Sequence, residues 1–267
     1  MNTVTSKDGT RIAYDRTGAG PALILVDGAL QYQAFDQGRV ELADRLAPYF
    51  TVISYDRRGR GESGDTLPYA VEREIEDIEA LIDQAGGSAF LYGISSGAAL
   101  AMEAAAKLGG KVKALAMYEA PYNSDPAAQQ AWKEYTRKLG ELLTAGRRGD
   151  AVGLFMMLVG ASPADVEGVR QSPVWPVFEA IAPTLAYDHA AILGEDASVP
   201  TERAASVAVP TLVMNGGKSF PFMHETAVTL AKVIPHAQHR TLEGQTHEVT
   251  AEALAPALVE FFKSQAA

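Results

Sequence analysis

Short apolar runs alternate along the first third of the chain with stretches in which apolar residues recur every three or four positions. Ala22–Val26, Thr51–Tyr55 and Ala89–Tyr92 are short, largely apolar segments bounded by glycines and charges, the pattern of strands buried on both faces of a parallel sheet. Thr10–Tyr14 reads as an edge strand. Between these runs, 40–47 sets Val40, Leu42, Ala43, Leu46 and Ala47 on one side of a helix. A second helix, 69–85, carries Ile75, Ile78, Leu81 and Ile82 at helical spacing. An alanine-rich helix over 98–107 and a buried strand over 112–118 follow. Alternating strands and helices predict an α/β fold with a mostly parallel central sheet flanked by helices.

The rhythm changes after Tyr122. Helical segments over 127–145, 150–159, 163–170 and 174–193, the last interrupted at Pro176 and Pro183, follow one another without a convincing strand. Alternation then resumes with a strand over 210–216, a helix over 224–233, a short strand over 238–242 and a helix over 251–263. The expected organisation is a core of residues 1–122 and 207–267 with a helical cap, 123–206, inserted between two strands.

Composition narrows the function classes. With 47% hydrophobic and 21% charged residues, the 267-residue chain can bury a sizeable core. Its net charge of −10 repels nucleic acid and anionic membrane surfaces and leaves a small, neutral organic substrate as the expected partner. The absence of cysteine removes disulfides, thiolate catalysis and thiolate metal ligation, and nothing in the sequence implies a metal or organic cofactor. The N-terminus shows no apolar stretch of signal-peptide type, and no run approaches the roughly 20 apolar residues of a membrane span, so a cytoplasmic enzyme is expected. The pattern permits a homo-oligomer without specifying one.

The candidate chemistry lies where the strand at 89–92 runs directly into the helix at 98–107. Gly93-Ile94-Ser95-Ser96-Gly97 bridges them, with glycines two positions before and after Ser95. A serine that attacks a carbonyl must protrude from its backbone, and a sharp strand-to-helix turn crowds the neighbouring positions down to glycine. Ser95 is therefore the candidate nucleophile; the simpler reading makes it an ordinary helix N-cap. Ser96, next in the turn, offers its backbone N–H at the helix start to a developing oxyanion. Of the histidines at 189, 224, 236, 239 and 247, His247 follows the last strand on a loop, at the edge of a parallel sheet where sites form. His236 and His239 read as surface residues, His189 and His224 as helical ones.

In order, these segments resemble the α/β-hydrolase superfamily, and within it the capped esterase, lactonase and cofactor-free haloperoxidase-like group. Ala22–Ala29 resembles the strand and oxyanion loop, Asp56–Ser63 the D-x-R-G-x-G-x-S loop, Gly93–Gly97 the nucleophile elbow, Pro210–Gly216 the penultimate strand and Gly244–His247 the catalytic histidine loop. The resemblance implies a second oxyanion-hole donor at the N–H of Ala29. It also exposes a departure, because relatives carry the triad acid in a G-x-x-D sequence after the penultimate strand, where this chain has Gly216-Gly217-Lys218-Ser219. Some members of the superfamily place that acid after the strand following the nucleophile helix, a position held here by Glu119, with Asp125 as second candidate.

Asp27 stands where relatives commonly have histidine; it either hydrogen-bonds loop amides or tunes the pocket for a proton-bearing or hydroxylated substrate. Ile94 carries no chemistry. Arg57, Arg58 and Arg60 read as structural, neutralised by the nearby Asp56, Glu62 and Asp65. Phe155, Met156, Met157, Trp175 and Phe178 serve either as cap core or as the lining of an acyl pocket. The expected enzyme is a serine hydrolase of esters, lactones or similar carbonyl compounds. Rivals on the same fold are a C–C hydrolase, a lyase, a perhydrolase of haloperoxidase type, or a non-catalytic ligand-binding homologue.

Overall fold

A sheet whose strands are apolar on both faces must be covered on both sides, and the computed structural model, which describes residues 1–33 and 36–266, shows how this is done. Eight strands run β1 (Asn2–Thr5), β2 (Arg11–Thr17), β3 (Ala22–Val26), β4 (Thr51–Tyr55), β5 (Ala89–Ile94), β6 (Val112–Tyr118), β7 (Thr211–Gly216) and β8 (Ala237–Leu242). They pair in the order β1-β2-β4-β3-β5-β6-β7-β8. Only β1–β2 and β2–β4 are antiparallel; the other pairs are parallel. One face packs on α1 (Gln37–Leu46) and α11 (Ala251–Ser264), where Leu42, Leu46, Leu258 and Phe262 meet Leu25 and Phe90. The other packs on α2 (Val71–Gln84), α3 (Ser96–Leu108) and α10 (Pro221–Val233), through Ile78, Leu81, Leu100 and Leu230.

The strands at 22–26, 51–55 and 112–118 form with the expected bounds. The segment expected as an edge strand does not lie at the edge: Asn2–Thr5 pairs outside it, with Val4 opposite Ile12. A polar strand with one apolar residue leaves no hydrophobic trace in the sequence. α1 and α10 each begin three residues before the starts expected at 40 and 224, whereas α2 begins at Val71, two residues after the 69 expected. Asp36 accepts from the Arg39 N–H at 2.9 Å to open α1, and Pro221 sits in the first turn of α10, where a missing N–H costs nothing.

Between β6 and β7 lie α4 (Pro126–Thr144), α5 (Arg148–Leu158), α6 (Pro163–Arg170), α7 (Trp175–Ile181), α8 (Thr184–Ala186), a π-helical turn Tyr187–Ile192 and α9 (Thr201–Ala205). α4 to α8 share an apolar cluster of Tyr135, Leu139, Val152, Val166, Trp175 and Leu185 that reaches Leu30 and Tyr32 of the sheet body, whereas Ile192 of the π-helical turn and Ala204 of α9 pack into the core against the sheet. Pro176 opens α7 rather than interrupting a helix. Among the described residues no helix is long and apolar enough to cross a membrane.

A buried charge network seats this insertion. Arg57, Arg58 and Arg60 are each 1% exposed, and a guanidinium so enclosed needs a carboxylate as enclosed as itself. The expected neutralisers do not serve. Asp56 is used by the loop itself, accepting from the N–H groups of Gln33 and Glu62 at 2.9 and 3.0 Å, Asp65 accepts from the Tyr187 hydroxyl, and Glu62 is exposed. Instead Arg57 pairs with Glu74 at 2.6 and 2.7 Å, and Arg58 with Asp77 and Asp8. Asp188, from the π-helical turn, takes Arg57 on one oxygen at 2.7 Å and Arg60 on the other at 2.5 Å. Burial pushes its carboxyl up, but the two guanidiniums outweigh this and hold it below the ordinary range.

The next residue, His189, lies among Trp132, Tyr135 and Phe155 with its Nδ1 2.8 Å from the Tyr135 hydroxyl. Burial pushes its pKa down to about 4. Replacing Asp188 by Asn leaves Arg60 without a carboxylate, and denaturant unfolding is expected to show a loss of about 3–5 kcal/mol; a loss below about 1 kcal/mol contradicts the seating role. His189 binds its proton more readily unfolded than folded, so its contribution to stability is present above about pH 6.5 and is lost as pH falls toward 4, by roughly 3 kcal/mol in all. The difference in unfolding free energy between wild type and His189→Phe, measured from pH 7 to 4, is expected to shrink or reverse by that amount, with carboxylates titrating in the same range cancelling. A pH-independent difference contradicts it.

Candidate active site

β5 extends to Ile94, so Ser95 leaves the strand and α3 begins at the next residue. The turn forces Ser95 to φ 54° and ψ −130°, a region L-residues rarely adopt and one whose cost of order 1–3 kcal/mol persists only where the surroundings impose it. They do so closely. A Cβ on Gly93 would lie 2.4 Å from the Gly97 carbonyl oxygen, and one on Gly97 would lie 2.3 Å from the Val26 oxygen, so both glycines are steric requirements of the turn. Ser95 N–H donates to the Tyr118 carbonyl at 2.9 Å, tying the elbow to β6. Although Ser95 precedes the helix, its hydroxyl makes no capping bond, which removes the ordinary N-cap reading.

Ser96 is buried and its hydroxyl donates to Asp188 at 2.8 Å. Its backbone N–H and that of Ala29 have no acceptor among the described residues. Ala29 follows β3, beside β5 in the sheet, and lines the same cavity as Ser95. The loop between them is held from behind, with Arg57 donating to the Asp27 carbonyl at 3.0 Å and Arg60 to the Gly28 carbonyl at 2.5 Å. Gly28 itself abuts the serine, since a Cβ there would lie 3.0 Å from Ser95 Cβ.

The acid side is equally built. Glu119, directly after β6, adopts φ 49° and is 1% exposed. Its Oε2 lies 2.7 Å from His247 Nδ1. The Gly216 N–H donates to Oε1 at 2.7 Å, and the Ser219 hydroxyl donates to Oε2 at 2.9 Å. Ser219, standing where relatives carry aspartate, thus supports the carboxylate that faces the histidine. This role left no signal in the sequence, because only the register of β6 against β7 reveals it. Asp125 is elsewhere, capping α4 by accepting from the Ala128 N–H. The His247 loop is held by the Tyr118 hydroxyl, which donates to the Thr246 carbonyl. With Nδ1–H directed at Glu119, Nε2 is left as a proton acceptor.

Ser95 and His247 both line a cavity of about 1220 Å³, which also takes in Phe155 and Phe178 from the insertion. Met156 and Trp175 are not among its walls; they pack in the insertion's own apolar cluster, Trp175 beneath the Arg170 guanidinium at 4.7 Å. Helical spacing cannot distinguish the two sides of a short helix between core and cavity. Asp27 does line the cavity, but it does not hydrogen-bond loop amides as the simpler reading has it. It ion-pairs with Arg39, a residue the sequence did not single out. Burial outweighs the arginine and pushes the Asp27 carboxyl up to about 6. His189 also reaches the cavity wall, whereas His236 is exposed and His239 sits on β8 with Nε2 2.8 Å from Asn215 Oδ1.

Among proteins of known structure, an α/β hydrolase from Sphaerobacter thermophilus DSM 20745 is 52% identical, with 98% of this chain and 100% of that one covered and a TM-score of 0.86. A thermophilic esterase from Thermogutta terrifontis shares the fold at 22% identity, with 99% and 98% covered and a TM-score of 0.70. The uncharacterized hydrolase YraK of Bacillus subtilis (strain 168) is 32% identical over 100 residues, a match that spans 36% of this chain and only 35% of that protein. The model of the alpha/beta hydrolase family matches residues 18–256. The chain belongs to the alpha/beta hydrolase family.

Proposed function

We propose that the protein is a serine hydrolase that cleaves an ester, lactone or similar small carbonyl substrate through an acyl-enzyme on Ser95. The observation that carries this reading is the buried Glu119 carboxylate 2.7 Å from Nδ1 of His247, a residue that lines the same cavity as Ser95, which stands on a strained turn. Its likeness in fold to an esterase is in keeping with it.

Ser95 Oγ attacks the acyl carbon while its proton passes to His247 Nε2. Glu119 orients the ring and stabilises the imidazolium without taking the proton itself. The tetrahedral oxyanion accepts hydrogen bonds from the N–H groups of Ala29 and Ser96. Collapse breaks the bond to the alkoxide, which leaves with the proton from His247. Water, deprotonated by the same nitrogen, then attacks the acyl-enzyme and releases the acid, restoring Ser95 with its proton. The helices of 123–206 act as a cap over this chemistry, with Phe155 at the acyl pocket.

Steady-state hydrolysis of short-chain nitrophenyl esters tests the assignment of the acid. Glu119→Gln is expected to lower kcat by about 10⁴. Asp125→Asn, which keeps a good helix cap, is expected to stay within about twofold of wild type. The reverse pattern contradicts the proposal. Ser219→Ala removes one donor to the Glu119 carboxylate and is expected to cost roughly tenfold in kcat.

A further inference from the structure

Three polar residues outside the proposed catalytic group line the cavity. β3 pairs with β5 so that Leu25 lies opposite Tyr92, and side chains alternate along a strand, so Leu25, Asp27 and Tyr92 share the sheet face that α1 covers. From the first turn of α1, Arg39 reaches this face, pairing through Nη1 with Asp27 Oδ2 and donating through Nη2 to the Tyr55 carbonyl at 3.1 Å. Among the described residues its Nε–H has no hydrogen-bond partner, and neither has the Tyr92 hydroxyl; both are buried. The other oxygen of Asp27 accepts no hydrogen bond from a described residue. Asp27, Arg39 and Tyr92 line the same cavity as Ser95, and Asp27 stands two residues before Ala29.

Buried donors without acceptors are costly because each forfeits its hydration with no return, so these two, beside one half-used carboxylate, favour a bound partner. That partner must accept from Arg39 and Tyr92 and donate to Asp27. A carboxylate would lie against Asp27, an ammonium against Arg39, and an alkyl group would leave all three unpaired. A hydroxyl meets the requirement. We propose that Asp27, Arg39 and Tyr92 form a subsite for a hydroxyl group on the substrate, so that the enzyme prefers hydroxylated esters over their unsubstituted counterparts. The subsite deepens the serine-hydrolase reading but depends on it only for where the carbonyl lies.

Binding in a Ser95→Ala background separates the two. Calorimetric Kd values are compared for ethyl butyrate, ethyl 3-hydroxybutyrate, with its hydroxyl on the acyl side, and 2-hydroxyethyl butyrate, with its hydroxyl on the alcohol side. One hydroxylated ester is expected to bind about tenfold tighter than ethyl butyrate, and which one tells the side of the carbonyl the subsite serves. Adding Tyr92→Phe, which removes an unpartnered atom and should not lower the Tm of the free protein, is expected to cut the advantage below about threefold. Arg39→Lys, which keeps a charge for Asp27 but lacks the Nε donor, should do the same. Equal affinities for all three esters, or an advantage that survives both substitutions, overturn the subsite and leave ordered water alone as its occupant. Wild-type protein that hydrolyses none of the three overturns the serine-hydrolase reading while the binding comparison stands.

Discussion

The structure turns on one buried carboxylate held between two guanidiniums. Asp188 comes from the helical insertion, while Arg57 and Arg60 come from the loop after β4. The same two arginines donate to the carbonyls of Asp27 and Gly28, and the same carboxylate accepts from the Ser96 hydroxyl at the start of α3. The insertion, the loop after β3 and the elbow are thereby referred to a single point. Buried ion pairs seldom add much net stability, since desolvation consumes most of the Coulombic gain. Their value here is geometric: none of the four segments can shift without stranding a charge away from water, so the Ala29 and Ser96 amides are fixed relative to each other and to the insertion.

The acid side shows a different economy. β6 and β7 are parallel neighbours, with Tyr118 opposite Met214 and the Glu119 N–H donating to the Met214 carbonyl at 3.0 Å. Their C-terminal ends therefore open onto one volume, and a carboxylate rooted at the end of β6 occupies space also reachable from the loop after β7. The longer glutamate side chain spans the offset. Once it does, a serine at position 219 becomes a donor to that carboxylate rather than a loss.

Much of this was legible in the sequence wherever the physics is local. The strands at 22–26, 51–55 and 112–118 declare themselves because burial on both faces permits few polar residues, and Gly93 and Gly97 mark the elbow because the backbone leaves no room for a Cβ. The pairing of Glu119 with His247 was within reach through chain order and the resemblance to the family. What escaped depends on contacts distant in sequence. The partners of Arg57, Arg58 and Arg60 lie on α2, on the π-helical turn and at Asp8, while of the carboxylates nearest in sequence Asp56 holds the loop, Asp65 accepts from Tyr187 and Glu62 is exposed. Arg39, just before the helix expected over 40–47, and Tyr92, at the end of the strand expected over 89–92, carried no signal of their own. Only the sheet register and the closure of α1 over it bring them to Asp27.

The central claim, that Ser95 is a nucleophile activated at this site, is tested most directly by intact-protein and peptide mass spectrometry after exposure to a fluorophosphonate. A single stoichiometric adduct on the peptide containing Ser95 is predicted, slowed at least a hundredfold by Glu119→Gln. An unlabelled protein, or an adduct on another residue while Ser95 stays free, would contradict it.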